Sequence, residues 1–320
     1  MTLLSVHTAS ERILARLQPI AATETLPLIQ CARRVLAQDI AAQTDLPPFD
    51  NSAMDGFAVR SADTVTAASP MTLKVVADIL AGSNPRLTLA QGQAARIMTG
   101  APLPHGADAV IPIEDTDFNN YDAGAPAPAT VTISRVAKTN ENVRPRGMDI
   151  QQGGSVLTTG RLLKPQDLGM LAMLGIAQVQ VYKKARVALF ASGNELLEVD
   201  APPQPGKIRD ANSYTLASLV EDSGAEVIRL GIAQDTRASI ETLLERAADA
   251  QVDLILSSAG VSVGAFDFIK DMIESRGRLD PSSRVRTGGG HGRNRGHEPL
   301  DHGRSRPHRA YRLDIESGGT

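Results

Sequence analysis

The sequence predicts an α+β multidomain protein: a β-rich domain inserted in a helical linker region, followed by a truncated, doubly wound α/β domain. Two observations support this prediction. Residues 47–145 contain short runs rich in β-branched residues, separated by Gly, Pro and Asn, with no long helical period. Residues 184–276 instead alternate apolar strand-like runs with helical runs, which is typical of a parallel sheet covered on both faces.

The composition limits the class of protein. The 320 residues are 42% hydrophobic and 22% charged, which is typical of a globular chain with room for two or more cores. A net charge of −3 argues against a dedicated nucleic-acid binder. No apolar run approaches the ~18 residues of a membrane span, and no secretion signal is visible. The single Cys31 suits a reducing compartment and is expected to be buried, so we expect a cytoplasmic protein.

The helical linker region is predicted to comprise residues 1–46 and 146–183. Residues 5–18 place apolar side chains at helical spacing behind Ser and Thr caps, and residues 28–36 show a second helical patch. Residues 164–175 predict a helix with a proline in its first turn and a glycine at its end. We expect these helices to connect the other domains.

Acidic residues follow all three predicted strands of the α/β domain. Glu195, Asp235 and Asp267 lie at or just beyond the strand ends, where sites in parallel sheets form. Such carboxylates predict a hard divalent cation with oxygen ligands, namely Mg²⁺. The alternative for each acid is helix capping, which is favoured for any single one, whereas the three together favour a metal site. Asp210 and Ser213 fit capping better than a site.

Residues 260–264 match the G-x-S-x-G pattern of a hydrolase nucleophile elbow. A triad would need a histidine downstream of Ser262, and the downstream histidines all lie in the C-terminal region without periodicity. The alternative is a turn of small residues whose backbone N–H groups receive an anion, with Gly260, Ser262 and Gly264 contacting the substrate. We favour this second interpretation.

Residues 277–320 do not continue the strand–helix pattern. This segment holds four of the six histidines, many Arg and Gly, and almost no aliphatic periodicity. It is predicted to be a disordered, atypical tail, because such a composition cannot bury a helix face or a strand face. A basic, His-rich tail for metal or RNA is one alternative. A frameshift product is another, because GC-rich coding sequence read out of register yields Arg, Gly, Pro, His and Ser.

Five segments together resemble one known family. PFDNSAMDGFAV, RIMTGAPLP, RPRGMDI, VALFASGNEL and SAGVSVGAFDF, in this order and spacing, are similar to the molybdopterin molybdenumtransferases, which include bacterial MoeA and the E domain of gephyrin. The resemblance covers about residues 5–276. It implies the last step of molybdenum cofactor synthesis, in which adenylylated molybdopterin is cleaved, molybdate enters at the dithiolene and AMP leaves.

The resemblance also implies partners and a site. The family forms an elongated homodimer with clefts between one subunit's α/β domain and the other's β-rich domain, and other cofactor-synthesis proteins are further candidate partners. Segment 50–59 would pack its Phe and Met inward and present Asp55 towards the partner's cleft, with Asp50 and Asn51 ordering the loop. The implied site residues are Asp55, Asp149 and Asp267 as catalytic groups, Thr99, Gly260, Ser262 and Gly264 as substrate-binding groups, and Glu195, Asp235 and Asp267 as ligands of Mg²⁺.

The sequence departs from the family pattern at several points. Asn194 stands where the family usually has Asp, so we leave it out of the predicted site, and Ala259 replaces the first glycine of a GGVSVG turn. The family's Lys- and Pro-rich pterin segment and its L-P-G-N-P turn do not occur, so the α/β domain is predicted to be incomplete. A second hypothesis is therefore a catalytically impaired dimeric remnant that binds pterin or cofactor-synthesis partners. A third is an α/β hydrolase using Ser262.

Overall fold

A computed structural model describes residues 5–15, 17–65, 70–120, 124–258 and 309–311. The helices within these ranges are α1 (Val6–Leu14), α2 (Pro165–Met173), α3 (Asn212–Asp222) and α4 (Arg237–Asp249). The strands are β1 (Thr23–Pro27), β2 (Ile40–Ala41), β3 (Asn51–Ser52), β4 (Gly56–Val59), β5 (Met71–Ile79), β6 (Gln93–Ile97), β7 (Ala109–Pro112), β8 (Thr130–Ile133), β9 (Val143–Arg144), β10 (Ser155–Leu157), β11 (Gln178–Tyr182), β12 (Arg186–Ser192), β13 (Leu196–Leu197), β14 (Ile208–Arg209), β15 (Glu226–Ala233), β16 (Leu254–Ser257) and β17 (Arg309–Tyr311). In this described part of the chain, no helix is both long and apolar enough to cross a bilayer.

The chain folds as two compact units. Residues 25–180 form a β-rich unit, and residues 1–24 together with 181–320 form an α/β unit. This combination of a β-rich unit with a parallel α/β sheet is the mixed architecture that the sequence predicts. The predicted domain boundaries at residues 47, 145 and 184 stay predictions.

Two of the three predicted linker helices are present. Helix α1 begins after Ser5, whose hydroxyl accepts a hydrogen bond from the Thr8 N–H at 3.1 Å. Helix α2 begins at Pro165, where the missing N–H is not needed by the helix. It ends before Gly175, whose N–H donates to the Ala172 carbonyl oxygen at 3.0 Å. The predicted caps at these three helix ends are therefore confirmed.

The prediction of a helix at residues 28–36 is wrong. Only Leu28–Gln30 form a single 3₁₀ turn, and Val35 lies in an antiparallel β-bridge with Leu162. Arg33 has φ 61°, a left-handed conformation that a right-handed α-helix cannot contain. The linker region consequently consists largely of strands and loops, and it is less helical than the sequence indicates.

The β-rich unit is built on a five-stranded sheet in the order β7-β4-β6-β5-β8. All neighbouring pairs are antiparallel except β5 with β6, which are parallel. Successive side chains on a strand point to opposite faces, and both faces are buried here. Phe57 and Val59 pack into an apolar cluster on one face, and Ala58 packs into a second cluster on the other. Strand β4, an interior strand of the sheet, is therefore packed on both faces and paired on both edges.

The α/β unit contains a parallel sheet in the order β15-β12-β16. Because β15 and β16 lie on opposite sides of β12, right-handed connections place α3 and α4 on opposite faces, as in a doubly wound sheet. The aliphatic core that fills one side comprises Ala188, Phe190, Leu230, Ala233, Ile240, Leu243, Leu244 and Ala247. The strand and helix order predicted for residues 185–257 is present in the structure.

Strand β17 lies in the segment predicted to be a disordered tail. Its three residues pair antiparallel with β16, with Ala310 opposite Leu256. A short extended segment can satisfy the unpaired backbone groups at a sheet edge whatever its side chains are, and the disordered tail stays a prediction. The other residues of 277–320 and the predicted helix at residues 266–276 lie outside the described part of the chain.

We predict that Gly56→Ala destabilises the protein by about 3 kcal/mol, the upper end of the range for overpacked cores. A Cβ at this position would lie 2.0 Å from the carbonyl oxygen of Ile111 in the neighbouring strand, and backbone cannot move aside as a side chain can. Urea unfolding measures the change. The control is Gly169→Ala in α2, where a Cβ meets nothing within 4 Å and helix propensity should add up to about 1 kcal/mol. Equal stability of the two variants would contradict the prediction.

Candidate functional site

The side-chain carboxylate of Asp55 is held by one residue, Thr99. Its Oδ1 accepts hydrogen bonds from the Thr99 backbone N–H at 2.6 Å and from the Thr99 hydroxyl at 2.7 Å. Both residues are exposed at the surface of the β-rich unit. Asp55 is thus exposed, and its place in a partner's cleft stays a prediction. Thr99, predicted to bind substrate, binds Asp55 in this structure.

A tight turn places Thr99 beside Asp55. The Ala101 N–H donates to the Met98 carbonyl oxygen at 2.9 Å, closing a four-residue turn in which Gly100 has φ +79°. A positive φ at the third position is what a type II turn requires, and glycine adopts it without strain. The turn is fixed to the Asp55 segment because the Gly100 N–H donates to the Ser52 carbonyl oxygen at 2.8 Å.

These two hydrogen bonds change the acidity of Asp55. The Thr99 hydroxyl, followed by the Thr99 N–H, lowers the pKa of the Asp55 carboxyl below its ordinary value, and partial desolvation opposes them weakly. Both donors stabilise the ionised form. Asp55 is therefore a carboxylate at neutral pH, able to accept a proton or a hydrogen bond from a ligand.

Asp50 and Asn51 order the loop that leads to Asp55, as predicted. Asp50 Oδ1 accepts a hydrogen bond from the Arg146 N–H at 2.7 Å, and the Asn51 amide donates to the Phe49 carbonyl oxygen at 3.2 Å. The prediction that this segment packs its Phe and Met inward is only half right. Phe57 is fully buried, but Met54 is 40% exposed because it lies in the turn before β4 rather than in the sheet.

Asp149, predicted to be catalytic, is paired with Arg144. The Arg144 Nη2 lies 2.6 Å from Asp149 Oδ2, and their side chains are 44% and 46% exposed. Arg146, two residues further along the chain, places its Nε 2.5 Å from Asp45 Oδ2. The RPRGMDI segment is thus a set of surface ion pairs in which Asp149 has a cationic partner.

In the α/β unit, Asp235 joins the ends of β12 and β15. Its Oδ1 accepts from the Ser192 hydroxyl at 3.1 Å, and its Oδ2 accepts from the Asn194 N–H at 3.1 Å. The Asp235 N–H in turn donates to Asn194 Oδ1 at 3.2 Å. The capping alternative for Asp235 is not realised, because the Thr236 hydroxyl caps α4 by accepting from the Ser239 N–H.

Glu195 lies in the same turn. Its carboxylate folds against the backbone of Gly193, where an added Cβ would lie 2.6 Å from Oε1. Asp210 accepts a hydrogen bond from the Ser213 N–H at 3.0 Å at the start of α3, so the capping interpretation of this pair is confirmed. Glu195 and Asp235 therefore both belong to loops at the carboxyl ends of parallel strands.

The structure includes two of the three acids that the sequence assigns to Mg²⁺. Asp267 lies outside the described residues, as do Gly260, Ser262 and Gly264. Within the described ranges, no three His, Cys, Asp or Glu side chains come together as a complete metal site. The available donors are carboxylate oxygens, which are the ligands that Mg²⁺ prefers, so the residues fit this cation by donor type.

Sequence reasoning missed Asn194 and Lys207. Asn194 was set aside for its lack of charge, yet its backbone N–H and side-chain oxygen both bind Asp235. The Lys207 ammonium group contacts the Asn194 carbonyl oxygen. The position of Asn194 in a strand-end turn was a usable signal for a hydrogen-bonding role. No sequence pattern indicated Lys207, because it lies in a different loop from the residue that it contacts.

Two family models match the chain. The model "MoeA N-terminal region (domain I and II)" matches residues 4–175, and "Probable molybdopterin binding domain" matches residues 188–284. The chain belongs to the MoeA family of molybdopterin molybdenumtransferases. The resemblance inferred from the five sequence segments is thereby confirmed.

Individual relatives agree with the family models. The chain is 40% identical over 267 residues to molybdopterin molybdenumtransferase 2 of Mycobacterium tuberculosis, covering 83% of this chain and 64% of the relative. It is 39% identical over 278 residues to the molybdopterin molybdenumtransferase of Haemophilus influenzae, covering 87% and 66%. A crystal structure of the MoeA protein from Pyrococcus horikoshii matches with a TM-score of 0.70 and 33% identity, covering 80% of this chain and 66% of that one. The chain thus spans about two thirds of the length of these relatives.

We predict that Asp149→Asn and Arg144→Gln each change the free energy of unfolding by less than about 1 kcal/mol, because half-exposed ion pairs contribute little. Urea unfolding at low and high salt measures both. Asp167→Asn is the comparison, since the carboxylate of Asp167 is buried at the start of α2 and is bound by Arg161 and by the Lys164 N–H. A loss for Asp149→Asn as large as that for Asp167→Asn would show that the surface pair is structural.

Proposed function

We propose that the protein inserts molybdate into adenylylated molybdopterin and releases AMP, which forms the molybdenum cofactor. The supporting observation is the ionised, exposed Asp55, held by Thr99 within the DNSAMDGFAV segment. Family membership and relatives named molybdopterin molybdenumtransferase support the reaction class. They also favour this reaction over the hydrolase alternative.

Asp55 suits a role in proton transfer. Cleavage of the phosphate link that releases AMP requires an oxygen nucleophile to be oriented and to lose a proton. A carboxylate with its second oxygen directed at the ligand can accept that proton or hold the attacking water. Among the described residues, Thr99 alone contributes to the lowered pKa of Asp55, so no lysine or arginine neutralises this carboxylate. We assign Asp55 the catalytic role, with Asp149 and Asp267 as further catalytic groups.

Glu195, Asp235 and Asp267 are proposed to hold Mg²⁺. Bound there, the cation would neutralise the negative charge of phosphate and molybdate groups. The described part of the chain contributes Glu195 and Asp235, which lie in loops at the carboxyl ends of the adjacent parallel strands β12 and β15. Asp235 is oriented by the Ser192 hydroxyl and the Asn194 N–H. Gly260, Ser262 and Gly264, which follow β16 in the sequence, are proposed to contact the anionic substrate.

The protein is proposed to act as a homodimer in the cytoplasm. The β-rich unit exposes apolar side chains that a second copy could cover, including Ile29 at 85% and Met173 at 66% exposure. The helix and the 3₁₀ turn that contain these residues contact each other, so the exposed apolar groups belong to neighbouring elements. Other proteins of molybdenum cofactor synthesis are proposed as additional partners.

We predict that Asp55→Asn lowers kcat for AMP release by about two to four orders of magnitude, the usual contribution of a general base. The assay measures AMP released from adenylylated molybdopterin with molybdate present. Asp117→Asn is the matched control, because the exposed Asp117 also has a lowered pKa, caused chiefly by the Thr132 N–H, and it is bound by Thr132 on β8 rather than by Thr99. Wild-type turnover of Asp55→Asn would overturn the catalytic assignment.

A metal-binding prediction follows from the strand-end acids. Mg²⁺ should raise the midpoint of thermal unfolding of the wild-type chain, since a ligand that binds only the folded state stabilises it by mass action. Glu195→Gln and Asp235→Asn should each reduce this Mg²⁺-dependent increase, whereas Asp200→Asn, an exposed acid in the same unit, should preserve it. An equal increase in all four proteins would refute the assignment of Mg²⁺ to these ligands.

A further inference from the structure

We infer that Thr99 is a positioning residue that fixes which oxygen of Asp55 meets the substrate, and that it acts through Asp55 rather than by contacting the substrate itself. This inference rests on the proposed catalytic role of Asp55. It differs from the role in substrate binding that the sequence assigns to Thr99. The geometry behind it is that both polar groups of Thr99 are directed at one oxygen of one side chain.

Two donors on the same oxygen define the orientation of the carboxylate. The Thr99 N–H lies 2.6 Å and the Thr99 hydroxyl 2.7 Å from Oδ1 of Asp55. A carboxylate held by one bond can rotate about its last torsion, which has a broad energy minimum. A second bond from a different direction restricts that rotation. Oδ1 is therefore occupied by hydrogen bonds within the protein, and Oδ2 is the oxygen that can contact the substrate.

Threonine suits this position better than serine would. Its branched Cβ restricts χ1, so the hydroxyl loses less freedom when it is held in the orientation that meets Asp55. The hydroxyl also has a proton to donate, which an isosteric valine lacks. Thr99→Val therefore removes one of the two hydrogen bonds while preserving shape, and Thr99→Ser retains both donors on a looser side chain.

The two Thr99 donors lie in a turn that is attached to the five-stranded sheet of the β-rich unit. Strand β6, which is buried over most of its length, runs directly into the turn that contains Thr99. The Met98 N–H donates to the Ile79 carbonyl oxygen at 3.1 Å, which fixes the start of this turn on β5. The Asp55 carbonyl oxygen accepts from the Ile113 N–H at 3.1 Å, which fixes the acid itself at the end of β7. Donor and acceptor are thus both attached to one sheet, as precise positioning requires.

Within the described part of the chain, no charged side chain contributes to holding Asp55. The arginines of the surrounding elements have carboxylate partners of their own: Arg96 on β6 binds Asp78, Arg135 after β8 binds Asp115 and Glu141, and Arg144 on β9 binds Asp149. Glu114 follows β7 in the same turn as Asp115. The lowered pKa of Asp55 comes from the two Thr99 hydrogen bonds, with no contribution from these charges.

The first test compares Thr99→Val with Thr99→Ser in the full chain, using the AMP-release assay over a range of pH. Thr99→Val should lower kcat about ten- to a hundred-fold with little change in KM, because misplacing a reacting group has an effect of this size. Its acidic limb should move to higher pH, because losing the hydroxyl bond raises the pKa of Asp55 and its carboxylate form then disappears at a higher pH. Thr99→Ser should stay close to wild type. A raised KM with unchanged kcat would show direct substrate contact and overturn the inference.

A double-mutant cycle isolates the dependence on Asp55. If Thr99 acts only through this carboxylate, then Thr99→Val should have no further effect on kcat once Asp55→Ala is present. Additive losses would mean that Thr99 contributes independently of Asp55, and would overturn the inference.

A measurement without turnover separates this inference from the proposed function. The pH titration of the Asp55 carboxyl carbon by NMR should show a higher pKa in Thr99→Val than in wild type. Thr72→Val, which removes an exposed threonine hydroxyl on β5, is the control and should leave that pKa unchanged. An unchanged Asp55 pKa in Thr99→Val would overturn the inference even if Asp55 is catalytic. Full activity of Asp55→Asn would instead refute the catalytic role of Asp55 on which this inference rests, and absence of AMP release by the wild-type chain would refute the proposed function. The titration reports on the hydrogen bond in either case.

Discussion

The close approach of strands β4 and β7 is the constraint on which the β-rich unit depends. At Gly56 the neighbouring backbone comes so near that a Cβ would overlap the carbonyl oxygen of Ile111. This contact lets β4 pair on both edges while its alternating side chains fill an apolar cluster on each face. Asp55 directly precedes this strand, so the position of the acid is set by the packing of the sheet and not by its own loop.

Asp55 and Asp235 lie in different units and are oriented in the same way. In the β-rich unit, a turn that follows a buried strand gives two donors to Asp55. In the α/β unit, strand ends give a hydroxyl and a backbone N–H to Asp235. In each case residues at the carboxyl end of a strand supply donors that orient one carboxylate. Acids oriented in this way suit an anionic substrate only if a cation or a proton also takes part, which is why Mg²⁺ belongs to the proposed function.

Local patterns predicted some features well and others poorly, for identifiable reasons. Helix α4 and the parallel strands were predictable because aliphatic periodicity and short turns reflect burial directly. The false helix at residues 28–36 had the right spacing of apolar residues, yet the left-handed backbone at Arg33 interrupts it. Met54 resembled a core residue by type, but its place in a turn leaves it exposed. The spacing of apolar residues indicates which side chains prefer to be buried. The path of the backbone decides which of them are buried.

The sequence by itself determined the family and the mixed α/β architecture, because these follow from residue types in a specific order, and it led to the proposal of Asp55 as the catalytic acid. Only the tertiary structure decided what each acid contacts. Thr99 lies 44 positions from Asp55 along the chain, and Asp235 lies 41 positions from Asn194. Contacts at such separations depend on the register of strands β4 with β6 and of β12 with β15, and that register is set by the collective packing of the cores rather than by any local signal.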